Sequence, residues 1–238
     1  FGRTIELFVS SFISAWSPYM LSFLNKTEEA ITQFGKILYY YTIGICALLA
    51  CYFSLAKPLV FLMVQPLYYD IWSIIGIIAV SQALWGVYGI STTGFLFYKK
   101  SLLQMCVEIT AGVATIGFCY LLIPSLHLEG AALGMLLGFL TLLFMSFPLN
   151  RRLLPVRYPV KRLIPIVSGL GIVAALSFFP FSSMEIYCTA TTTATLLYFT
   201  FLWFFCVEKK DKDIILSLLR TRLLTSTANG SSNSLPNN

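Results

Sequence analysis

The chain has 238 residues, of which 58% are hydrophobic and 11% charged. Soluble domains carry roughly a quarter of their residues as charged side chains, so a water-soluble globule is excluded and lipid must solvate most of this one. The net charge of +6 would suit nucleic acid, but the basic residues lie between apolar runs, where they serve topology instead.

Seven apolar runs follow one another at 3–24, 37–60, 72–97, 101–123, 130–149, 163–180 and 183–207. Most reach the roughly 20 residues that a hydrocarbon core of about 30 Å requires. They are continuously apolar, not alternating, so each reads as a helix with its backbone groups paired internally. The expected fold class is therefore all-α, a polytopic membrane protein with seven transmembrane helices over residues 1–207. Behind it, Ile214, Ile215, Leu218 and Leu219 alternate with basic residues at helical spacing. That pattern predicts a cytoplasmic amphipathic helix over 208–224. Residues 225–238 are polar and low in complexity, and are expected to be disordered. The chain starts at Phe1 and enters an apolar run without a signal-peptide layout. It reads as the C-terminal part of a longer protein.

Polar residues fall in stripes along the runs. In the first, Glu6, Ser10, Ser14 and Ser17 share one helical face. Pro18 follows and removes a backbone hydrogen bond, so a kink is expected there. In the third, Gln82, Gly86, Gly89 and Thr93 repeat the spacing. In the fourth, Gln104, Glu108, Gly112 and Thr115 nearly do. Glu108 has two readings. It lines a substrate pathway or exchanges a proton, or it snorkels toward Lys99 and Lys100 near its helix end. A charge at mid-membrane costs about 2.5–3.5 kcal/mol on insertion scales, so it is normally retained for a purpose. The fifth run opens with Gly130, Gly134 and Gly138, whose spacing predicts close packing against another helix.

The loops orient the spans. Alternation puts Arg3 and Lys57 on one side and the other fourteen basic residues on the opposite side. The basic side is expected to be cytoplasmic, and with it the C-terminus. Six cysteines sit within or at the edges of apolar runs without a CxxC pair, beside a single histidine. Neither a disulfide, a metal site nor a cofactor is expected.

Leu122-Ile123-Pro124, a five-residue hinge and Gly130-Ala131-Ala132 resemble the "LIP…GAA" signature of lipid-linked oligosaccharide (O-antigen) flippases. These form the polysaccharide-export branch of the superfamily that includes the multidrug/toxin extrusion (MATE) antiporters. Trp16-Ser17-Pro18 resembles the aromatic-x-Pro segment of the flippases' eighth helix. His127 stands where the family usually carries glycine, and Gly117 and Phe118 where it usually carries asparagine. The resemblance implies a fourteen-helix MATE-like protein, of which this chain is the C-terminal lobe plus two extra helices. It implies a missing N-terminal lobe as partner, and a polyprenyl-diphosphate-linked oligosaccharide as cargo. The glycan would cross between lobes while the lipid tail stays in the bilayer, by alternating access commonly tied to an ion gradient. The setting would be the inner membrane of a prokaryote assembling surface polysaccharide or lipopolysaccharide. On this reading Glu108, Gln104, Thr115, Gln82, Ser14 and Pro18 border the substrate pathway.

Two other classes compete. A multidrug cation antiporter of the same fold would favour several mid-depth acids, and the runs offer one. A membrane polymerase or acyltransferase needs reachable nucleophile or acid/base groups. The loops on the less basic side hold only Asp70, His127, Glu129 and Glu185. A transporter rather than an enzyme is expected.

Overall fold

The computed structural model describes residues 2–23, 27–65, 69, 71–156, 158–179 and 183–206. The expected amphipathic helix and tail lie outside these residues. The described chain is helical and without strands: α1 (Gly2–Leu21), α2 (Thr27–Met63), α3 (Ile71–Ser91), α4 (Thr93–Phe97), α5 (Ser101–Leu153), α6 (Val160–Phe178) and α7 (Met184–Phe201), then a π-turn at Leu202–Cys206. Residues 1–198 form one compact unit, and a second begins at Phe199. Five segments are long and apolar enough to cross a membrane: Thr27–Met63, Ile71–Phe97, Ser101–Leu153, Lys161–Phe178 and Met184–Cys206.

The five segments and the seven expected runs differ in two places. α1 is a 20-residue helix, but Glu6 and its serines dilute its apolar character. α5 is the second difference. The stretch Ser101–Leu153 is two helices meeting at a kink, and the kink falls inside the hinge expected over 124–130. At 1.5 Å per residue each half, about 26 residues, is about 39 Å of helix, enough for a bilayer core of about 30 Å. A single residue makes the break: His127, at φ 49° and ψ −122°. Pro124 itself keeps helical backbone geometry, three residues before the break.

The break folds α5 into a hairpin of two arms, 101–126 and 128–153. A Cβ built on Gly130 would strike the Leu122 carbonyl. One on Gly134 would meet Cys119, and one on Gly138 the Thr115 hydroxyl. Steps of four along the second arm thus match steps of three or four backward along the first, so the arms run antiparallel. α3 and α4 lie parallel to the second arm at constant offset. Ser73 donates to Glu129 Oε1 (3.1 Å) at one end, and the Gly94 N–H donates to Asn150 Oδ1 (2.7 Å) at the other, both 56 residues apart. Asn150 is 1% exposed, and its oxygen takes a first-turn N–H of α4 that has no partner within its own helix.

α3 is the centre of the bundle. It packs against α1, α2 and α5, and many of its buried residues are small, among them Gly76, Ala79, Ser81, Ala83 and Gly86. Small residues let membrane helices approach closely where no hydrophobic force drives them together. α6 and α7 join α2 through a buried polar knot. Ser177 Oγ and Tyr187 Oη both donate to the Phe53 carbonyl (3.1 Å each) and lie 3.0 Å apart. Tyr198 Oη also donates to the Ile166 carbonyl (2.9 Å), tying α7 to α6.

These contacts sort the loops into two ends. Lys99, Lys100, Arg151 and Arg152 lie at the Gly94–Asn150 end. Lys57 lies at the opposite end, near the start of α3.

Positive φ with strongly negative ψ is glycine territory, and a side chain there costs on the order of 1–3 kcal/mol. His127→Gly should therefore raise stability by about 1 kcal/mol, read as a higher unfolding midpoint in detergent. Gly130→Ala should lower it by about 1–3 kcal/mol, because backbone must move. Gly112→Ala, whose new methyl meets nothing within 4 Å, should be neutral or stabilising. Equal midpoints for the two alanine variants would refute the close approach of the arms.

Candidate functional site

The first arm of α5 buries little of itself. Val107 and Ala111 enter a small core with Tyr88 and Leu142. Leu102, Met105, Ile109, Val113 and Ile116 are exposed. On this apolar surface Glu108 is also exposed, yet its carboxylate is held. Tyr88 Oη donates to Glu108 Oε1 at 2.7 Å, and Gln104 Nε2 donates to the same oxygen at 3.0 Å. Tyr88 is 5% exposed, so its hydroxyl comes from inside the bundle. Gln104 comes from one turn earlier on the same arm, the spacing at which helix neighbours meet.

The geometry gives Glu108 a definite place. Two hydrogen bonds to Oε1 restrict the carboxylate, and the residue as a whole is exposed. The group can accept a proton or bind a cation or hydroxyl-rich molecule arriving at that surface.

The other expected site residues divide. Gln104 joins Glu108. Thr115 does not, because its hydroxyl donates to the Ala111 carbonyl (2.8 Å) and sits where a Gly138 side chain would go. Thr115 instead borders a cavity of about 200 Å³ between the arms, with Ala111, Gly112, Met135, Phe139 and Leu142. Gln82 is half-buried on α3, and no hydrogen bond joins it to Glu108 among the described residues. The glycines of its stripe face elsewhere. Gly86 meets Tyr41 and Val9, and Gly89 meets Ile13, so they seat α1 and α2. Tyr88 projects from α3 more than a right angle away from them at 100° per residue. α1 is therefore on another flank from Glu108.

Ser14 and Pro18 are exposed on α1, away from its buried residues Ile5, Val9, Trp16 and Met20. Pro18 lies in the last turn of α1, so the expected mid-helix kink has little helix left to bend. The ring removes the helical partner of the Ser14 carbonyl, which links these two residues on one free face. Gly130, Gly134 and Gly138 line the seam of the hairpin. A larger cavity of about 400 Å³ lies among α1, α2 and α3, lined by Phe8, Leu48, Leu55 and Leu59. Its walls are apolar, and no carboxylate reaches it.

Tyr88 lies outside the polar stripes that the sequence displays. Its signal is register: Tyr88 and Glu108 stand 11 and 8 residues from the Lys99–Lys100 turn, equal to within about one helical turn, as antiparallel neighbours do. Among the described residues no group of three or more His, Cys, Asp or Glu side chains could hold a metal. Comparison with family models, curated proteins and solved structures gives no match.

Hydrogen bonds between membrane helices average about 0.6 kcal/mol and reach about 1.7. A double-mutant cycle of Tyr88→Phe and Glu108→Gln should return a coupling in that range by detergent unfolding. Strict additivity would mean that the two side chains do not touch.

Proposed function

We propose that the chain is part of a membrane transporter that flips a polyprenyl-diphosphate-linked oligosaccharide. The observation that carries this reading is Glu108. It is a carboxylate on the exposed face of an otherwise apolar arm, gripped by a buried tyrosine and an adjacent glutamine. Lipid would not tolerate that face at depth. A second lobe across a water-filled pathway would, and the sugar hydroxyls of a glycan would find acceptors there.

Two further features support the flippase family. The backbone at His127 adopts a conformation suited to glycine, the residue that the flippase signature usually carries at that place. The glycine stripe that opens "GAA" serves the hairpin seam. In this reading α1 and both arms of α5 also cross the membrane, giving seven spans. The end bearing Lys99, Lys100, Arg151 and Arg152 faces the cytoplasm by the positive-inside rule. The chain acts with a facing N-terminal lobe in the inner membrane of a prokaryote, and an ion gradient drives the cycle.

The test is thiol accessibility in the full-length protein, freed of native cysteines. Single cysteines at 104 and 108 should react with a membrane-impermeant reagent, and those at 109 and 113 should not. Glu108→Gln should lower transfer of the lipid-linked glycan at least tenfold with expression unchanged. Protection of 104 and 108 to the same degree as 109 and 113 would sink the pathway.

A further inference from the structure

Lys57 is the one basic side chain described at the end of the bundle opposite the basic loops. It projects from α2 one turn beyond Phe53, and its Nζ lies over two aromatic faces. The Tyr187 ring centroid is 4.6 Å away and that of Trp72 5.3 Å. Both rings are fixed without help from the lysine. Tyr187 is 1% exposed and anchored through its hydroxyl to the Phe53 carbonyl and Ser177. Trp72 packs on Phe178, centroid to centroid 4.8 Å. Three helices, α2, α3 and α7, thus converge to hold one ammonium group in place.

Aromatic faces attract a cation through their quadrupole, but they offer no lone pair in the direction of its N–H bonds. An ammonium has three donors and no acceptor. Among the described residues no carboxylate pairs with Lys57. The half-buried group is therefore oriented, charged and short of acceptors, at a helix end flanked by Trp and Tyr. Such residues mark the headgroup level of a membrane. The chemistry that completes it is an anion carried at that depth.

We propose that Lys57, with Trp72 and Tyr187, forms a binding site for the phosphate of a membrane lipid. The lysine supplies charge and hydrogen bonds, and the rings hold it and cover the first methylenes of the lipid. The proposal needs the chain to lie in a bilayer, and does not need it to be a flippase. A phospholipid and a polyprenyl diphosphate share the chemistry.

The test measures binding to the purified protein by native mass spectrometry. The probes are dioctanoyl phosphatidylglycerol, dioctanoylglycerol, undecaprenyl diphosphate and inorganic phosphate. Wild type should bind phosphatidylglycerol at least tenfold more tightly than dioctanoylglycerol. Lys57→Gln should lose about tenfold, Lys57→Arg should stay within threefold, and Lys36→Gln at the other end should change nothing. Tighter, equally Lys57-dependent binding of undecaprenyl diphosphate would make the carrier lipid the occupant. Equal binding of both lipids would make the site general for lipid phosphate. The site is refuted if wild type does not distinguish phosphatidylglycerol from dioctanoylglycerol, a result independent of whether any variant folds. It is equally refuted if Lys57→Gln binds as wild type, or if Lys36→Gln loses as much. Inorganic phosphate competing at the lipid's own affinity would overturn the lipid part. Loss of glycan transport with lipid binding intact would count against the flippase reading alone.

Discussion

The bundle depends on how closely α3 and the two arms of α5 approach one another. In lipid, apolar side chains gain nothing by leaving the solvent, so helices are held by van der Waals contact and by the polar groups they share. Contact requires small residues at the seams. The second arm meets the first through Gly130, Gly134 and Gly138, with the Leu122 carbonyl directly under Gly130. α3 meets α1 and α2 through Gly86, and α2 again through Gly76. A bulky residue at these points would separate the helices and expose the polar contacts between them.

Those polar contacts are spaced along the bundle. Ser73–Glu129 closes the hairpin end, Tyr88–Glu108 ties α3 to the first arm, and Gly94–Asn150 closes the basic end. The knot at the Phe53 carbonyl binds α6 and α7 to α2. Each contact joins residues distant in sequence, and each also satisfies a group that lipid could not. Two of them have an exposed carboxylate as acceptor, Glu129 and Glu108, and Glu108 takes two donors, Tyr88 and Gln104. At the end opposite the basic loops, Lys57 lies over the rings of Trp72 and Tyr187.

Much of this was legible in the residues. The apolar runs dictated helices, because a chain this poor in charge cannot fold in water and cannot leave backbone unpaired in lipid. The glycine stripe announced a close seam, and Glu108 announced itself by the cost of placing a carboxylate among leucines and isoleucines. The stripes were a weaker guide. Gln82, Gly86, Gly89 and Thr93 share a face, but that face is filled by Tyr41, Val9 and Ile13. A polar or small face on a helix serves packing as readily as passage, and spacing alone does not separate the two.

By itself, then, the sequence determined the helical class, the places where helices could approach, and the asymmetry of charge between the ends. These follow from composition and period, which act within one helix at a time. Tertiary structure decided the rest. It placed the reversal expected over 124–130 at one residue, His127, whose backbone leaves helical geometry there. It brought Tyr88 to Glu108 and two rings to Lys57, because partners on different helices are set by register and rotation. Neither is written in the spacing of a single helix.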